Sequence, residues 1–122
     1  VDRNLDINDM AEFHRSIDVY ICASEELGEG HNNSTVESAC TGNAIITTDN
    51  GTVPEFLINE ENALIIDREP ECFSSAVERL RDDAELRLKL GNAARSCAVE
   101  RFDWNKKALD YKNMFIKVLN EI

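Results

Sequence analysis

With 122 residues, 43% of them hydrophobic, the chain has material for one core and at most one domain, since domains of this size remove roughly two thirds of their unfolded surface from water. Its 13 basic residues stand against 24 acidic ones, a formal net charge of −11. Such a surface repels phosphate backbones and anionic lipid, which argues against nucleic acid and membrane surfaces as partners of this chain.

The first periodic segment, about Asn8 to Ser16, places Met10, Phe13 and Ile17 at helical spacing, and Asp9 with Glu12 three residues on has the form of a capping box. Val19 to Ala23, VYICA, is a continuously apolar run rich in β-branched and aromatic residues, the pattern of a strand covered on both faces, and it implies a parallel sheet. A polar loop, SEELGEGHNN, leads into STVESACTG, a short helix ending at Gly42. A second strand spans Ala44 to Thr48. Asn50-Gly51 then marks a turn, and Pro54 suits the first turn of another short helix. The third strand is Ala63 to Asp67.

Strand, helix, strand, helix, strand with short connections is a βαβαβ unit, half of a doubly wound Rossmann-like domain. The predicted fold is therefore an α/β half-domain of three parallel strands in chain order, flanked by helices, with residues 1–122 forming a single partial domain. From about residue 70 to 122 the pattern is wholly helical. Phe73, Ala76, Val77 and Leu80 form one apolar stripe; Leu86, Leu90, Ala93, Ala94 and Cys97 form a second. Asp103 is a fitting N-cap for the last helix, in which Trp104, Ala108, Tyr111, Phe115, Val118 and Ile122 share a side. Their expected role is core packing across the sheet. The first strand, Val19 to Ala23, would lie at an open apolar edge through which the chain could form a homodimer.

Cys22, Cys40, Cys72 and Cys97 are far apart, include no CxxC pair and have no His cluster beside them, so they read as reduced, buried thiols in a cytoplasmic protein rather than as a zinc site. No metal is implied. Sequons begin at Asn32, Asn33 and Asn50, but without a signal peptide or a bilayer-spanning apolar run they read as accidental. The chain opens on Val1 rather than Met, which suggests an excised piece of a longer protein.

The stretch most informative for function is EGHNNSTVE, between the end of a strand and the start of a helix. Glu29 and Glu37 are separated by seven residues. Ligands of open α/β sheets bind beyond the carboxyl ends of the strands, where acidic side chains accept hydrogen bonds from sugar hydroxyls. Between the two acids, backbone N–H groups around Asn33, Ser34 and Thr35 would offer donors and a partial positive charge to a phosphate. On spacing alone, two solvated carboxylates are the favoured reading, because such a pair arises often in a chain with 24 acidic residues.

From Ile17 onward the chain resembles the carboxy-terminal half of the group 1, RfaG-like glycosyltransferases of the GT-B architecture. The resemblance is carried by DVYICAS, EGHNNSTVESACTGNAIITTDNGTVPEFL, ENALIID and the tail DDAELRLKLGNAARSCAVERFDW. Within them stand Ser24, Glu29-Gly30, Glu37, Gly42, Ile45-Ile46, Gly51, Pro54-Glu55, Leu90-Gly91, Ala94-Arg95 and Phe102-Asp103-Trp104. The resemblance implies transfer of a sugar from a nucleoside-diphosphate sugar, with retention of configuration and no cofactor.

In that reading Glu29 is the catalytic-site acid approaching the transferred sugar, and Glu37 binds the ribose hydroxyls. Gly30, His31, Asn32, Asn33, Ser34 and Thr35 would hold sugar and phosphate. His31 is as readily an idle loop histidine, and His14, beside the stripe of the first helix, reads as structural. The family's basic residue that stabilises the departing diphosphate has no counterpart here, because Arg3 and Arg15 precede the first strand; the acceptor domain is missing too.

The expected partners are thus a nucleotide sugar and the N-terminal part of the same enzyme, and the isolated chain is expected to be inactive. The full-length enzyme is expected in the cytoplasm, with peripheral membrane association compatible. His31-Asn32 replaces the family's frequent aromatic-glycine pair, and the loop after Ser24 is two residues longer than usual, so the base and sugar stay open. Glu25 and Glu26 offer other registers, but neither is followed by Gly. A retaining glycosidase would need carboxylates about 5 Å apart across one bond, and a receiver domain would need five βα units. A non-catalytic sugar-nucleotide-binding module is the remaining alternative.

Overall fold

The computed structural model describes residues 6–25, 30, 32–51 and 53–122. Its elements are α1 (Ile7–Arg15), β1 (Val19–Cys22), α2 (Asn33–Thr41), β2 (Ala44–Thr47), α3 (Val53–Phe56), β3 (Leu64–Ile65), α4 (Pro70–Asp82), α5 (Ala84–Phe102) and α6 (Trp104–Glu121). The three strands form one parallel sheet in the order β1-β2-β3, with Val19 opposite Ala44 and Ile46 opposite Leu64. This is the βαβαβ unit expected from the sequence, with each strand shorter than its apolar run.

The central strand β2 is buried at every position, because successive side chains point to opposite faces and both faces are covered. Ile45 packs with Ala39, Val53, Phe56, Leu57, Ala63, Ala94 and Ala98 on one face. Ala44 and Ile46 pack with Leu64, Ala76, Leu80 and Leu90 on the other. Helix α5 contributes to both cores: Leu90 belongs to one and Ala94 and Ala98 to the other, as its passage beside the start of β2 requires.

That passage depends on glycine. Gly42 ends α2 at φ 85°, and the N–H groups of Gly42 and Asn43 bond the carbonyls of Ala39 and Ser38, closing the helix in a left-handed cap that L side chains disfavour. Gly91 of α5 then lies directly against this turn.

Two local expectations are corrected. Helix α1 is capped by Asp6, whose Oδ1 accepts from the Asn8 N–H at 3.2 Å, so Asp9 lies in the first turn and makes no capping box with Glu12. The helix starts three residues earlier than the Asp-x-x-Glu pattern suggests. The second correction concerns α6, in which no residue is buried. Trp104 is 81% exposed, and Tyr111, Phe115, Val118 and Ile122 are exposed as well. The stripe predicted as core is a real helical stripe, but among the described residues no surface covers it; α5 already occupies the position against β2 and α2.

The edge strand β1 also differs from a strand covered on both faces. Val19 and Tyr20 touch the two cores, but Ile21 is 46% exposed. The cysteines are free, as expected, yet only Cys22 is buried; Cys40, Cys72 and Cys97 are half-buried. Burial pushes the Cys40 thiol up, with the Arg95 charge opposing and Glu37 reinforcing, which keeps it a protonated thiol. No described helix is long and apolar enough to cross a membrane.

Candidate functional site

The carboxyl ends of the three parallel strands converge, as in any open α/β sheet, and the connections tie them together. Beyond β1, the carbonyl of Ser24 accepts from Thr48 Oγ1 at 2.6 Å, which joins the first strand's exit to the second's. Asn50 is buried there and donates through Nδ2 to Thr48 O at 2.8 Å and to Thr47 Oγ1 at 3.2 Å. After β3, the Arg68 guanidinium pairs with the Glu25 carboxylate, bridging the outer two exits. That hydrogen bond, with the charge behind it, holds the Glu25 carboxyl below its usual range. Sequence reading missed Arg68, since no local pattern joins positions 43 residues apart.

Glu29 and His31 lie outside the described residues. Gly30 is exposed, with open space where a Cβ would stand. Asn32 caps α2: its Oδ1 accepts from the Thr35 N–H at 3.1 Å, and its Nδ2 donates to Cys22 Sγ at 3.2 Å. The Thr35 N–H, expected as a free phosphate donor, is thus already spent within the chain, and the Thr35 side chain is 1% exposed. Asn33 is exposed and Ser34 half-buried, and their N–H groups open the helix. The N-cap geometry pins this helix start to the end of β1, which is where a doubly wound unit binds its ligand.

Glu37 lies one turn further along α2 with its side chain 53% exposed. It lines a cleft of about 760 Å³ between α1, α2 and the start of α6, together with the apolar Met10, Val36 and Trp104, and with Tyr111 and Lys107. A carboxylate beside an aromatic wall suits a ligand with hydroxyls and a flat ring. Behind Glu37 sits His14, read from sequence as structural. Its ring is 3% exposed, its Nδ1 lies 2.8 Å from Ser38 Oγ, and its Nε2 lies 3.3 Å from Glu37 Oε2. The histidine is buried as expected, but it is buried against the candidate ligand carboxylate.

Residues 4–97 match the family model of glycosyl transferases group 1. The chain belongs to this family. An uncharacterised glycosyltransferase of Methanocaldococcus jannaschii is 28% identical over 107 residues, covering 87% of this chain and 27% of the relative. Among solved structures, sucrose-phosphate synthase from Thermosynechococcus elongatus superposes with a TM-score of 0.88 at 19% identity, covering 98% of this chain and 30% of the synthase. The C-terminal domain of the group 1 glycosyl transferase LpcC from Francisella tularensis gives 0.77 at 22% identity, covering 85% of this chain and 53% of that domain structure. Anabaena HepE in complex with UDP and glucose gives 0.74 at 15% identity, covering 93% and 30%.

The chain therefore spans less than a third of the length of the curated glycosyltransferase it matches. The structural matches establish the fold as that of part of a GT-B C-terminal domain, in agreement with the three parallel strands and their flanking helices. In this family the chain's resemblance to the carboxy-terminal half is consistent with its short coverage of whole enzymes.

Proposed function

We propose that this chain is the donor-binding part of a glycosyltransferase that moves a sugar from a nucleoside-diphosphate sugar to an acceptor with retention of configuration. The observation that carries the reading is Glu37, a half-exposed carboxylate one turn into a helix whose capped start sits at the end of β1, within a family of sugar transferases. Glu37 accepts hydrogen bonds from the ribose hydroxyls, Asn33 and Ser34 offer backbone N–H groups to the diphosphate, and Glu29 approaches the transferred sugar. No metal or cofactor enters this proposal, since helix dipole and backbone donors supply the positive potential at the phosphates.

Binding and chemistry separate here. Departure of a nucleoside diphosphate requires a basic group on the developing charge, and neither Arg68, paired with Glu25, nor Arg95, which bonds the Cys40 carbonyl, is free for it. The chain is expected to bind nucleotide without turning it over. Titration of the ¹⁵N-labelled chain with UDP, GDP and ADP, and with their sugars, tests this. Amide shifts at Gly30, Asn33 and Ser34 are expected for one base, with affinity falling at least about tenfold in Glu37→Ala, the usual scale for losing a charge-assisted hydrogen-bond acceptor. Binding unchanged by that substitution would remove Glu37 from the site.

The exposed Ile21 on the edge strand supports a further part of the proposal, self-association of the chain through β1. Sedimentation coefficients are expected to rise with concentration, and an Ile21→Lys variant is expected to stay monomeric. A wild-type chain that sediments as a monomer at every concentration would dispose of it.

A further inference from the structure

We infer that His14 is a positioning residue of the nucleotide site: with ligand bound, its Nε2–H closes on one carboxylate oxygen of Glu37 and leaves the other to the ligand. The inference rests on the proposed role of Glu37. His14 comes from α1 and Glu37 from α2, 23 positions away in sequence, and the ring is fixed from several directions. Asn43 Nδ2 donates to the His14 carbonyl at 2.8 Å. Phe13 meets the ring edge-on at 5.5 Å between centroids, and Tyr20 of β1 stands 6.3 Å away. The groups facing the imidazole are Ser38 and Glu37 from α2 and Tyr20 from β1, while Lys107 and Tyr111 of α6 line the same cleft.

Proton placement follows from what each neighbour can do. A carboxylate only accepts, so a lone pair on Nε2 aimed at Glu37 would be repelled, whereas a hydroxyl can donate to Nδ1. The Ser38 hydroxyl therefore donates to Nδ1, which places a ring proton on Nε2, facing Glu37. At 3.3 Å the Nε2 and Oε2 atoms are close but not aligned as a hydrogen bond, and Nε2 is buried with no other partner among the described residues. A buried donor left unmade is costly, and polar contacts of a ligand-free site often tighten only when the ligand arrives. Ribose hydroxyls on the free oxygen of Glu37 would fix the carboxylate in the orientation that completes the His14 bond.

The test reads the imidazole itself. Long-range ¹H–¹⁵N spectra of the His14 ring are recorded at neutral pH in the wild-type chain and in Glu37→Ala, and UDP affinity is measured for both and for His14→Leu and His14→Gln. His31, the other histidine, is assigned by its own substitution. The expected spectrum is the Nε2-protonated tautomer with an Nε2 resonance that moves in Glu37→Ala. UDP affinity is expected to fall about five- to tenfold in His14→Leu and to recover in His14→Gln, whose amide N–H can reach the same carboxylate. An Nδ1-protonated ring, or an Nε2 signal indifferent to Glu37→Ala, overturns the inference whatever the nucleotide does. If His14→Leu fails to fold, these spectra of the wild type and Glu37→Ala decide alone. Loss of UDP binding in Glu37→Ala with none in His14→Leu overturns the inference while the proposed function stands; unchanged binding in Glu37→Ala brings down both.

Discussion

Replacing Gly91 by alanine is expected to destabilise the chain by about 3 kcal/mol or more, even though glycine in a helix interior ordinarily costs about 1 kcal/mol relative to alanine. A Cβ at this position would lie 2.1 Å from the Gly42 carbonyl oxygen, 3.0 Å from its carbon and 3.3 Å from the Ala44 nitrogen. All three are backbone atoms, so no side chain can swing aside. Nor can the turn yield freely. Gly42 is held at φ 85°, and the N–H groups of Gly42 and Asn43 are bonded back into α2. Relief would require α5 to move away from α2 and β2, opening both cores, in which Leu90 on one side and Ala94 and Ala98 on the other are 0% exposed. Urea denaturation should show a lower midpoint in Gly91→Ala. A midpoint equal to or above that of the wild type would mean the close approach does not exist in solution.

Ile45→Ala and Ile46→Ala are each expected to cost about 3 to 4 kcal/mol, and Ile21→Ala less than about 1 kcal/mol. The three residues are all apolar positions of neighbouring strands, and Ile46 is the register partner of Ile21. What separates them is burial: both β2 isoleucines are 0% exposed and fill opposite cores, whereas Ile21 is 46% exposed. A truncation on either face of β2 leaves a void bounded by helices that cannot both collapse onto it. The same denaturation series checks the contrast. Comparable losses at Ile45 and Ile46 establish a strand covered on both faces; a small loss at one would mean that its face is open.

Much of this arrangement was legible from residue order. The runs VYICA, AIITT and ALIID marked three strands, and the helical segments between them required parallel pairing, since antiparallel neighbours need no such crossover. Gly42 marked the end of α2 because the left-handed cap there favours glycine. The succession of Ser24, Glu37, Gly42, Gly51 and Pro54-Glu55 also pointed to the group 1 glycosyl transferases, the family that residues 4–97 match. Each of these signals is local, or is a sum of local signals in a fixed order.

The signals that failed were of another kind. The Asp9 and Glu12 pair had the spacing of a capping box, but Asp6 takes the cap, because a cap is decided by where the backbone enters the helix. Likewise, Thr35 sits among polar residues at a helix start, yet it is 1% exposed and its N–H is closed by Asn32.

The sequence by itself thus determined the strands, their parallel order, the family and the candidate carboxylate at Glu37. Tertiary structure decided which apolar stripes become core and which groups meet. Trp104, Tyr111 and Phe115 share a helical face, but periodicity specifies only that a helix has an apolar side; burial requires a second surface, and α5 already fills the place beside β2 and α2. His14 and Glu37 meet because α1 and α2 pack together, and a contact of that kind leaves no trace in the spacing of either helix.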